Sequence, residues 1–201
     1  MSAAMGAAGS AAGPRLLVIS GTSGSGKTTV AGALLRDPRY GRARTATTRA
    51  PREGEVDGVD YDFLTEEAFR AGLARGDFVE HAVVYGRLYG TPRANLQSIL
   101  DSGRNCVLVV DVQGVRNLRQ QAIEAFTVFV EAPSPEELRR RLEGRGKDDP
   151  KTIECRLEAA AKEREEAEGF DLVLVNDVVE SAVRQLVARA GLDWTPHDAE
   201  E

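Results

Sequence analysis

The sequence predicts an α/β fold built on a parallel β-sheet, and three observations support this. Four short apolar runs are continuous rather than alternating, which is typical of strands buried on both faces of a parallel sheet. A segment with helical spacing follows each run, and this β-α alternation is the pattern of a doubly wound sheet with right-handed crossovers. At 201 residues the chain is also long enough for one such domain with inserted subdomains. The runs are residues 16–19, 106–110, 126–130 and 172–175.

The elements between these strands are predicted from local signals. A weaker run at residues 42–46 supplies a fifth strand of the parallel sheet. Residues 66–75 have the pattern of an amphipathic helix closed by Gly76, and residues 78–85 form an extended piece with a turn at Gly86. This part of the chain therefore predicts a small mixed subdomain inserted into the alternating core.

Three further helices have recognisable starting points. Thr91, Ser134 and Asp149 are each followed by Pro, and a capping side chain followed by Pro at the first helical position predicts a helix N-terminus. The sequence Gly-Arg-Gly-Lys at residues 144–147 separates the last two helices. These two helices are thus expected to form a pair joined by a basic tip.

Composition excludes several classes of function. The net charge of −6, from 26 Lys plus Arg against 32 Asp plus Glu, gives no general attraction to nucleic acid or to an anionic membrane. No apolar run approaches the roughly 18 residues that a membrane span requires. Cys106 and Cys155 have neither metal-ligand spacing nor the count of a disulfide framework. We therefore expect a cytoplasmic protein without nucleic-acid or membrane partners, and the sequence leaves the oligomeric state open.

The two ends of the chain are expected to lie outside the domain. Residues 1–14 are mostly Ala, Gly and Ser and lack the basic start and apolar centre of a secretory signal. We interpret them as a disordered leader. Residues 193–201 are predicted to be a loose tail.

A phosphate-binding motif follows the first strand. Residues 21–28 satisfy G-x-x-x-x-G-K-[ST], the P-loop pattern, between a predicted strand and a predicted helix. The glycines let successive backbone N–H groups turn towards a phosphate, and the helix N-terminus adds partial positive charge. Lys27 is predicted to reach the β- and γ-phosphates of ATP, and the Thr28 hydroxyl to ligate Mg²⁺. The predicted nucleotide-binding residues are Gly21, Thr22, Ser23, Gly24, Ser25, Gly26, Lys27 and Thr28.

A second group of motifs lies in the predicted insert. Residues 45–61 read Thr-Ala-Thr-Thr-Arg-Ala-Pro-Arg-Glu-Gly-Glu-Val-Asp-Gly-Val-Asp-Tyr, and Phe-Val-Glu-His-Ala at 78–82 and Tyr-Gly-Thr-Pro at 89–92 follow. These motifs, in this order, resemble the guanylate kinase family over about residues 15–192. The resemblance implies a P-loop NTPase core of residues 15–44, 92–138 and 159–192, a GMP-binding insert of residues 45–91 and a helical lid of residues 139–158.

The resemblance also implies an activity. It is the Mg²⁺-dependent transfer of a phosphoryl group from ATP to GMP or dGMP, giving ADP and GDP, in purine nucleotide metabolism and GMP recycling. Arg49, Arg52, Tyr61 and Tyr89 are implied to grip the GMP phosphate. Two guanidinium forks and two phenol hydroxyls are a suitable clamp for a dianion.

Guanine recognition requires a carboxylate and a hydroxyl. The base presents N1–H and its exocyclic amine as donors and O6 as an acceptor. By the resemblance Glu80 supplies the carboxylate, while Thr45 and Thr91 can supply the hydroxyl. Adenine would place its N1 lone pair against the Glu80 carboxylate, and such a buried mismatch is costly.

Three roles stay open for Asp111, which ends the strand at 106–110. It could contact the guanine amine, belong to the outer shell around Mg²⁺, or cap the following helix. Many members of the family carry a second acidic residue two positions earlier, where this chain has Val109. His81 is expected to have no catalytic role, because transfer to a phosphate acceptor needs no histidine base.

Arginines of the predicted lid complete the implied site. Arg141, Arg145 and Arg156 match the family's lid arginines, and with Lys27 they are implied to stabilise the charge of the transferring phosphoryl group. Asn176 is implied to contact the donor adenine. Lid closure would exclude water, whose attack competes with transfer.

Two alternative functions share parts of this pattern. A related kinase that phosphorylates ribose 1,5-bisphosphate would need the P-loop but no guanine pocket, so Glu80 with Tyr89 and Thr91 disfavours it. A guanylate-kinase-like module that binds phosphopeptides without catalysis would typically have a degraded P-loop, whereas Lys27 and the glycines are intact here.

Overall fold

The computed structural model describes residues 15–84, 86–144 and 149–196. The strands are β1 Leu16–Gly21, β2 Tyr40–Arg42, β3 Ala46–Thr47, β4 Asp62–Phe63, β5 Phe78–Val84, β6 Arg87–Pro92, β7 Asn105–Val109, β8 Phe126–Glu131 and β9 Leu172–Val175. The helices are α1 Lys27–Leu34, α2 Glu66–Arg75, α3 Arg93–Asp101, α4 Val112–Gln120, α5 Pro135–Glu143, α6 Pro150–Arg164 and α7 Val179–Ala190.

The larger sheet has five parallel strands in the order β2-β7-β1-β8-β9. Every residue of the central strand β1 is buried, because helices cover both faces of the sheet there. Leu34 of α1 and Leu186 of α7 belong to the apolar cluster on one face. Ile99 of α3 and Leu118 of α4 belong to the cluster on the other face. The predicted α/β fold with a five-stranded parallel sheet is confirmed.

The fifth strand differs in position from the prediction. The weak apolar run at residues 42–46 is divided between the two sheets: β2 ends at Arg42, and Ala46 already belongs to β3. The Ala43 N–H still donates to the Val107 carbonyl at 2.9 Å, and the chain then leaves the parallel sheet. Residues 43–45 therefore connect the core to the insert.

The insert is a four-stranded mixed sheet in the order β4-β3-β6-β5, covered by α2. Phe69 of α2 stacks on Phe78 of β5, with ring centroids 4.4 Å apart, and both side chains are buried. Gly76 ends α2 in the left-handed region at φ 75°, as its position predicts. This mixed subdomain is confirmed, and it lies between β2 and α3 in the chain.

Helices α5 and α6 pack on each other through Leu138, Leu142 and Ile153. Ser134 and Asp149 cap the two helices, as predicted, by accepting hydrogen bonds from the N–H groups of Glu137 and Thr152. The predicted N-cap at Thr91 is wrong. Thr91 lies in β6, the cap residue of α3 is Pro92, and the Thr91 hydroxyl donates elsewhere.

The C-terminal tail is more ordered than predicted. The Tyr40 hydroxyl donates to the Asp193 carbonyl at 2.6 Å, and the Thr195 N–H donates to Asp37 at 3.0 Å. Trp194 packs against the core. The prediction of a loose tail is therefore wrong for residues 193–196, because an apolar ring and backbone hydrogen bonds hold them. Residues 197–201 and the predicted leader, residues 1–14, lie outside the described residues. Within the described ranges, no helix has both the length and the apolar character needed to cross a membrane.

Candidate active site

The phosphate-binding loop connects β1 to α1, as the motif predicts. Gly21 has φ 131°, and a Cβ there would lie 2.0 Å from the Val130 carbonyl oxygen, so only glycine fits. Gly26 has φ 94° and precedes the first residue of α1. The Lys27 ammonium donates to the carbonyls of Gly21 and Thr22 at 2.6 and 2.9 Å. The lysine side chain thus bends back over the loop, where a bound phosphate would lie.

Two predicted lid arginines reach this loop. Arg141 donates to the Ser25 carbonyl at 3.3 Å and to the Asn176 carbonyl at 2.9 Å. Arg156 donates to the Ser23 hydroxyl at 3.3 Å. Helices α5 and α6 thereby place two cations beside the phosphate loop. Arg145 lies outside the described residues.

Asn176 is buried against the loop. Its side chain is 3% exposed, and its amide donates to the Ser25 carbonyl at 2.9 Å. Its backbone N–H donates to the Glu131 carbonyl at the end of β8. In this conformation Asn176 supports the loop backbone.

Five of the eight predicted acceptor residues line a cleft of about 350 Å³ between the parallel sheet and the insert, and Arg49, Arg52 and Thr91 are not among its lining residues. Lys27 and Thr28 lie at its donor end, and Val109 also lines it. The structure thus brings residues from both subdomains together. The predicted site residues on its walls are Lys27, Thr28, Thr45, Tyr61, Glu80, Tyr89 and Asp111.

Glu80 is a buried carboxyl group in this cleft, on β5. It is 3% exposed, and the Thr91 hydroxyl of the adjacent strand β6 donates to it at 2.6 Å. Burial raises the pKa of Glu80 to about 7, although the hydrogen bond from Thr91 acts in the opposite direction. Gly114 faces the same carboxylate, and a Cβ there would lie 3.1 Å from Glu80 Oε2. The charged form of this carboxylate is therefore costly in the empty site, and a cationic or donor-rich partner would offset that cost.

Asp111 follows β7 and caps α4. Its carboxylate accepts from the Gly114 N–H at 2.8 Å, so the capping role left open by the sequence is occupied. Asp111 also lines the cleft, and its charge contributes to the raised pKa of Glu80. One side chain therefore orders the helix start and still faces the acceptor space.

The predicted phosphate clamp is partly assembled. Arg49 stacks over the Tyr61 ring, 5.3 Å from its centroid, and its Nε donates to the Tyr89 hydroxyl at 3.2 Å. Both phenol rings point into the same region and meet edge to face. Arg52 is exposed at the rim of the insert, away from these contacts.

Two carboxylates that the sequence analysis did not predict, Glu55 and Glu163, interact with charged residues of the site. Glu55 pairs with Arg49 at 2.7 Å. Glu163 of α6 has a raised pKa because of burial, with Lys27 opposing the shift and Asp111 adding to it. The position of Glu55 six residues after Arg49 was visible in the sequence, but pairing across a loop depends on the turn between them. The resemblance implied that Arg156 of α6 acts beside the loop, but it gave no role to Glu163 on the same helix.

The chain is similar to known proteins over most of its length. The profile of the family described as guanylate kinase matches residues 13–189. A guanylate kinase of Clostridium perfringens is 43% identical over 174 residues, which cover 86% of this chain and 81% of that protein. A guanylate kinase of Thiobacillus denitrificans is 44% identical, covering 86% and 83% of the two chains. The crystal structure of guanylate kinase from Anaplasma phagocytophilum superposes with a TM-score of 0.70 at 34% identity, covering 91% of this chain and 88% of that one.

Proposed function

This chain belongs to the guanylate kinase family, and we propose that its cleft binds GMP through Glu80 and Arg49 while the P-loop holds ATP. The reaction of the family is phosphoryl transfer from ATP to GMP. The observation that carries the residue assignment is the buried Glu80–Thr91 pair, which shares one cleft with Lys27 and Thr28.

Guanine binding uses the carboxylate and hydroxyls at the closed end of the cleft. The Glu80 carboxylate accepts from the N1–H and the amine of guanine, and the Thr45 hydroxyl donates to O6, because the one hydroxyl proton of Thr91 is donated to Glu80. Thr91 already donates to Glu80 and is fully buried, so this hydroxyl fixes the carboxylate that reads the base. An unmatched base such as adenine leaves Glu80 buried against an acceptor, which strongly lowers affinity.

The GMP phosphate is held at the other end of the cleft. Arg49 is fixed there by Tyr61 and Tyr89, and Arg52 closes on the phosphate from the rim. This arrangement directs the acceptor phosphate towards Lys27 and Thr28. Two anions are thereby brought together, and the surrounding cations offset their repulsion.

The donor side consists of the P-loop and the two lid arginines. Lys27 exchanges its two carbonyl partners for the phosphates of ATP, and Arg141 and Arg156 meet the transferring phosphoryl group from α5 and α6. Arg145 and Asn176 remain part of the proposal, the latter as a neighbour of the donor adenine. We divide the chain into a core of residues 15–44, 92–138 and 159–192, an insert of residues 45–91 and a lid of residues 139–158.

The residues present suit Mg²⁺ that arrives with ATP. Thr28 contributes a hydroxyl and Asp111 a carboxylate in the same cleft, and Mg²⁺ in such sites is held by few protein oxygens together with phosphates and water. Within the described residues there is no group of three His, Cys, Asp or Glu that could form a self-contained metal cage. The ion supplies charge that stabilises the phosphate oxygens.

The free thiols of Cys106 and Cys155 support a reducing, cytoplasmic location.

A nucleotide panel in a coupled assay of ADP release, with and without Mg²⁺, tests the proposed acceptor. GMP and dGMP are expected to accept phosphate, and AMP, CMP, UMP and ribose 1,5-bisphosphate barely to react. A preference for any of the latter four would overturn the assignment of Glu80. Binding of phosphorylated peptides without ATP-dependent turnover would instead support the non-catalytic module.

A further inference from the structure

The guanidinium of Arg49 donates hydrogen bonds to three other residues, Ala50, Glu55 and Tyr89. An arginine guanidinium has five N–H donors. Nη1 donates to the Ala50 carbonyl at 2.7 Å and to the Glu55 carboxylate at 2.7 Å, and Nη2 donates to the second Glu55 oxygen at 2.9 Å. Nε donates to the Tyr89 hydroxyl at 3.2 Å. The fifth N–H, on Nη2 beside Nε, has no partner among the described residues.

Glu55 fills the Nη1/Nη2 edge of this guanidinium and leaves one N–H of the other edge, on Nη2 beside Nε, available. The carboxylate binds the Nη1/Nη2 edge in a bidentate pair, which is the strongest geometry for such a contact. The Nε/Nη2 edge faces Tyr89, which lines the acceptor cleft. A phosphate can therefore accept from the remaining Nη2 N–H and from the Tyr89 hydroxyl while Glu55 stays in place.

The same carboxylate also organises the loop that carries Arg52. Glu55 Oε2 accepts from the Arg52 N–H at 2.7 Å, and the Glu55 N–H donates to the Arg52 carbonyl at 3.0 Å. Gly54, at the third position of this turn, has φ 84°, as a type II turn requires. Glu55 thus ties the backbone of one clamp arginine to the side chain of the other.

Burial and stacking strengthen this arrangement. The side chains of Arg49 and Glu55 are only 15% and 19% exposed, so the pair is better shielded than an ordinary surface ion pair. Arg49 also lies over the rings of Tyr61 and Phe63, at 5.3 and 5.6 Å from the centroids. The two rings contact the guanidinium on its faces, and the bidentate pair with Glu55 restricts its rotation.

We propose that Glu55 is a positioning residue for GMP, which holds the remaining Nη2 N–H of Arg49 towards the acceptor phosphate and sets the turn that presents Arg52. This inference rests on the proposed placement of the GMP phosphate at Arg49. Glu55 itself does not touch the substrate. Glu55 orders the Arg49 side chain before GMP binds, so that less conformational entropy is lost on binding.

The opposite role, in which Glu55 competes with the phosphate for Arg49, makes the opposite prediction. A competing carboxylate would have to leave when GMP binds, and its removal would tighten GMP binding. Three hydrogen bonds hold Glu55, from two residues, and it occupies the edge of Arg49 that faces away from Tyr89. The geometry therefore favours positioning.

Affinity for GMP and for guanosine, measured by calorimetry on the full chain, separates these roles. Glu55→Ala is expected to weaken GMP binding by about 3- to 10-fold, the cost of ordering one long side chain, and to leave guanosine binding unchanged. Glu55→Gln, which keeps the shape and one acceptor, is expected to lie between Glu55→Ala and the unchanged protein. Glu53→Ala is the matched control, because it removes the same charge from an exposed position of the same turn.

Three results would overturn the proposal. Tighter GMP binding by Glu55→Ala would show competition, and an equal loss of GMP and guanosine binding in both Glu55 variants would show a general structural role. An equal loss in Glu53→Ala would show an effect of net charge alone. Turnover of GMP by the unchanged protein tests the proposed function separately, so failure of one can be told from failure of the other.

Discussion

Replacing Glu80 by Gln removes a buried titratable group. The raised pKa of Glu80 sets how much this replacement should change the pH dependence of the unfolding free energy. Burial raises the pKa of Glu80 from 4.5 to about 7 in the folded protein without substrate. A carboxyl group with a raised folded-state pKa contributes stability that is fully present below its unfolded pKa and is lost as the pH rises through about 7. At 1.36 kcal/mol per pKa unit, about 2 to 3 kcal/mol of this stability is lost between about pH 5 and about pH 8.5. Gln does not titrate and loses none of it.

Urea unfolding of the unchanged protein and of Glu80→Gln at these two pH values measures the effect. The difference in unfolding free energy between the two proteins cancels the titration of all other groups. We expect this difference to shift in favour of Glu80→Gln by about 2 to 3 kcal/mol from the lower to the higher pH. Glu53→Gln, at an exposed position, is the matched control and should show no such shift.

The ionisation of Glu80 is also expected to control the affinity for GMP. GMP affinity of the unchanged protein should rise with pH up to about 7, because the base binds the ionised form of Glu80. Glu80→Gln should lose about 100-fold or more in GMP affinity, since its amide donors would face the donors of guanine. A stability difference that is flat with pH, or GMP binding that survives in Glu80→Gln, would refute the reasoning.

The remaining predictions concern the clamp, the lysine, one glycine and the tail. Arg52→Ala should raise the KM for GMP by about 10- to 100-fold with little change for ATP, whereas Lys27→Ala should lower kcat by at least about 100-fold; steady-state kinetics with the reverse pattern would mean that the two sites are exchanged. Gly114→Ala should weaken GMP binding in calorimetry, because its Cβ would lie 2.8 Å from Val110 Cβ and 3.1 Å from Glu80 Oε2, so that the cleft wall must shift; unchanged affinity would contradict this crowding. Tyr40→Phe should lower stability in urea by about 1 kcal/mol through loss of the bond to the C-terminal tail, and no loss would mean that the tail contributes nothing.

Much of the fold follows from local signals. Continuous apolar runs predicted all four strong strands of the parallel sheet, because strands covered on both faces need no polar alternation. Capping residues fixed the starts of α5 and α6, since a cap satisfies backbone groups within one turn. The weak fifth strand was divided wrongly because residues 42–46 cross from one sheet to the other.

The site shows the limit of local signals more clearly. Thr91 has the sequence of an N-cap, but its hydroxyl donates to Glu80, eleven residues earlier and on the neighbouring strand. Asp111 could not be assigned from the sequence because both the helix cap and the cleft lie at the end of β7. Glu55 was not predicted at all, since its pairing with Arg49 requires a turn whose geometry is set at Gly54.

The sequence by itself determined the P-loop, the β-α order and the residue types of the acceptor motifs, because each depends on neighbours within a few positions. Tertiary structure alone decided which of those residues share a cleft, how strongly burial raises the pKa of Glu80, and which N–H of Arg49 stays available. These properties depend on desolvation and on contacts between distant segments. Both arise only when the insert, the parallel sheet and helices α5 and α6 pack together.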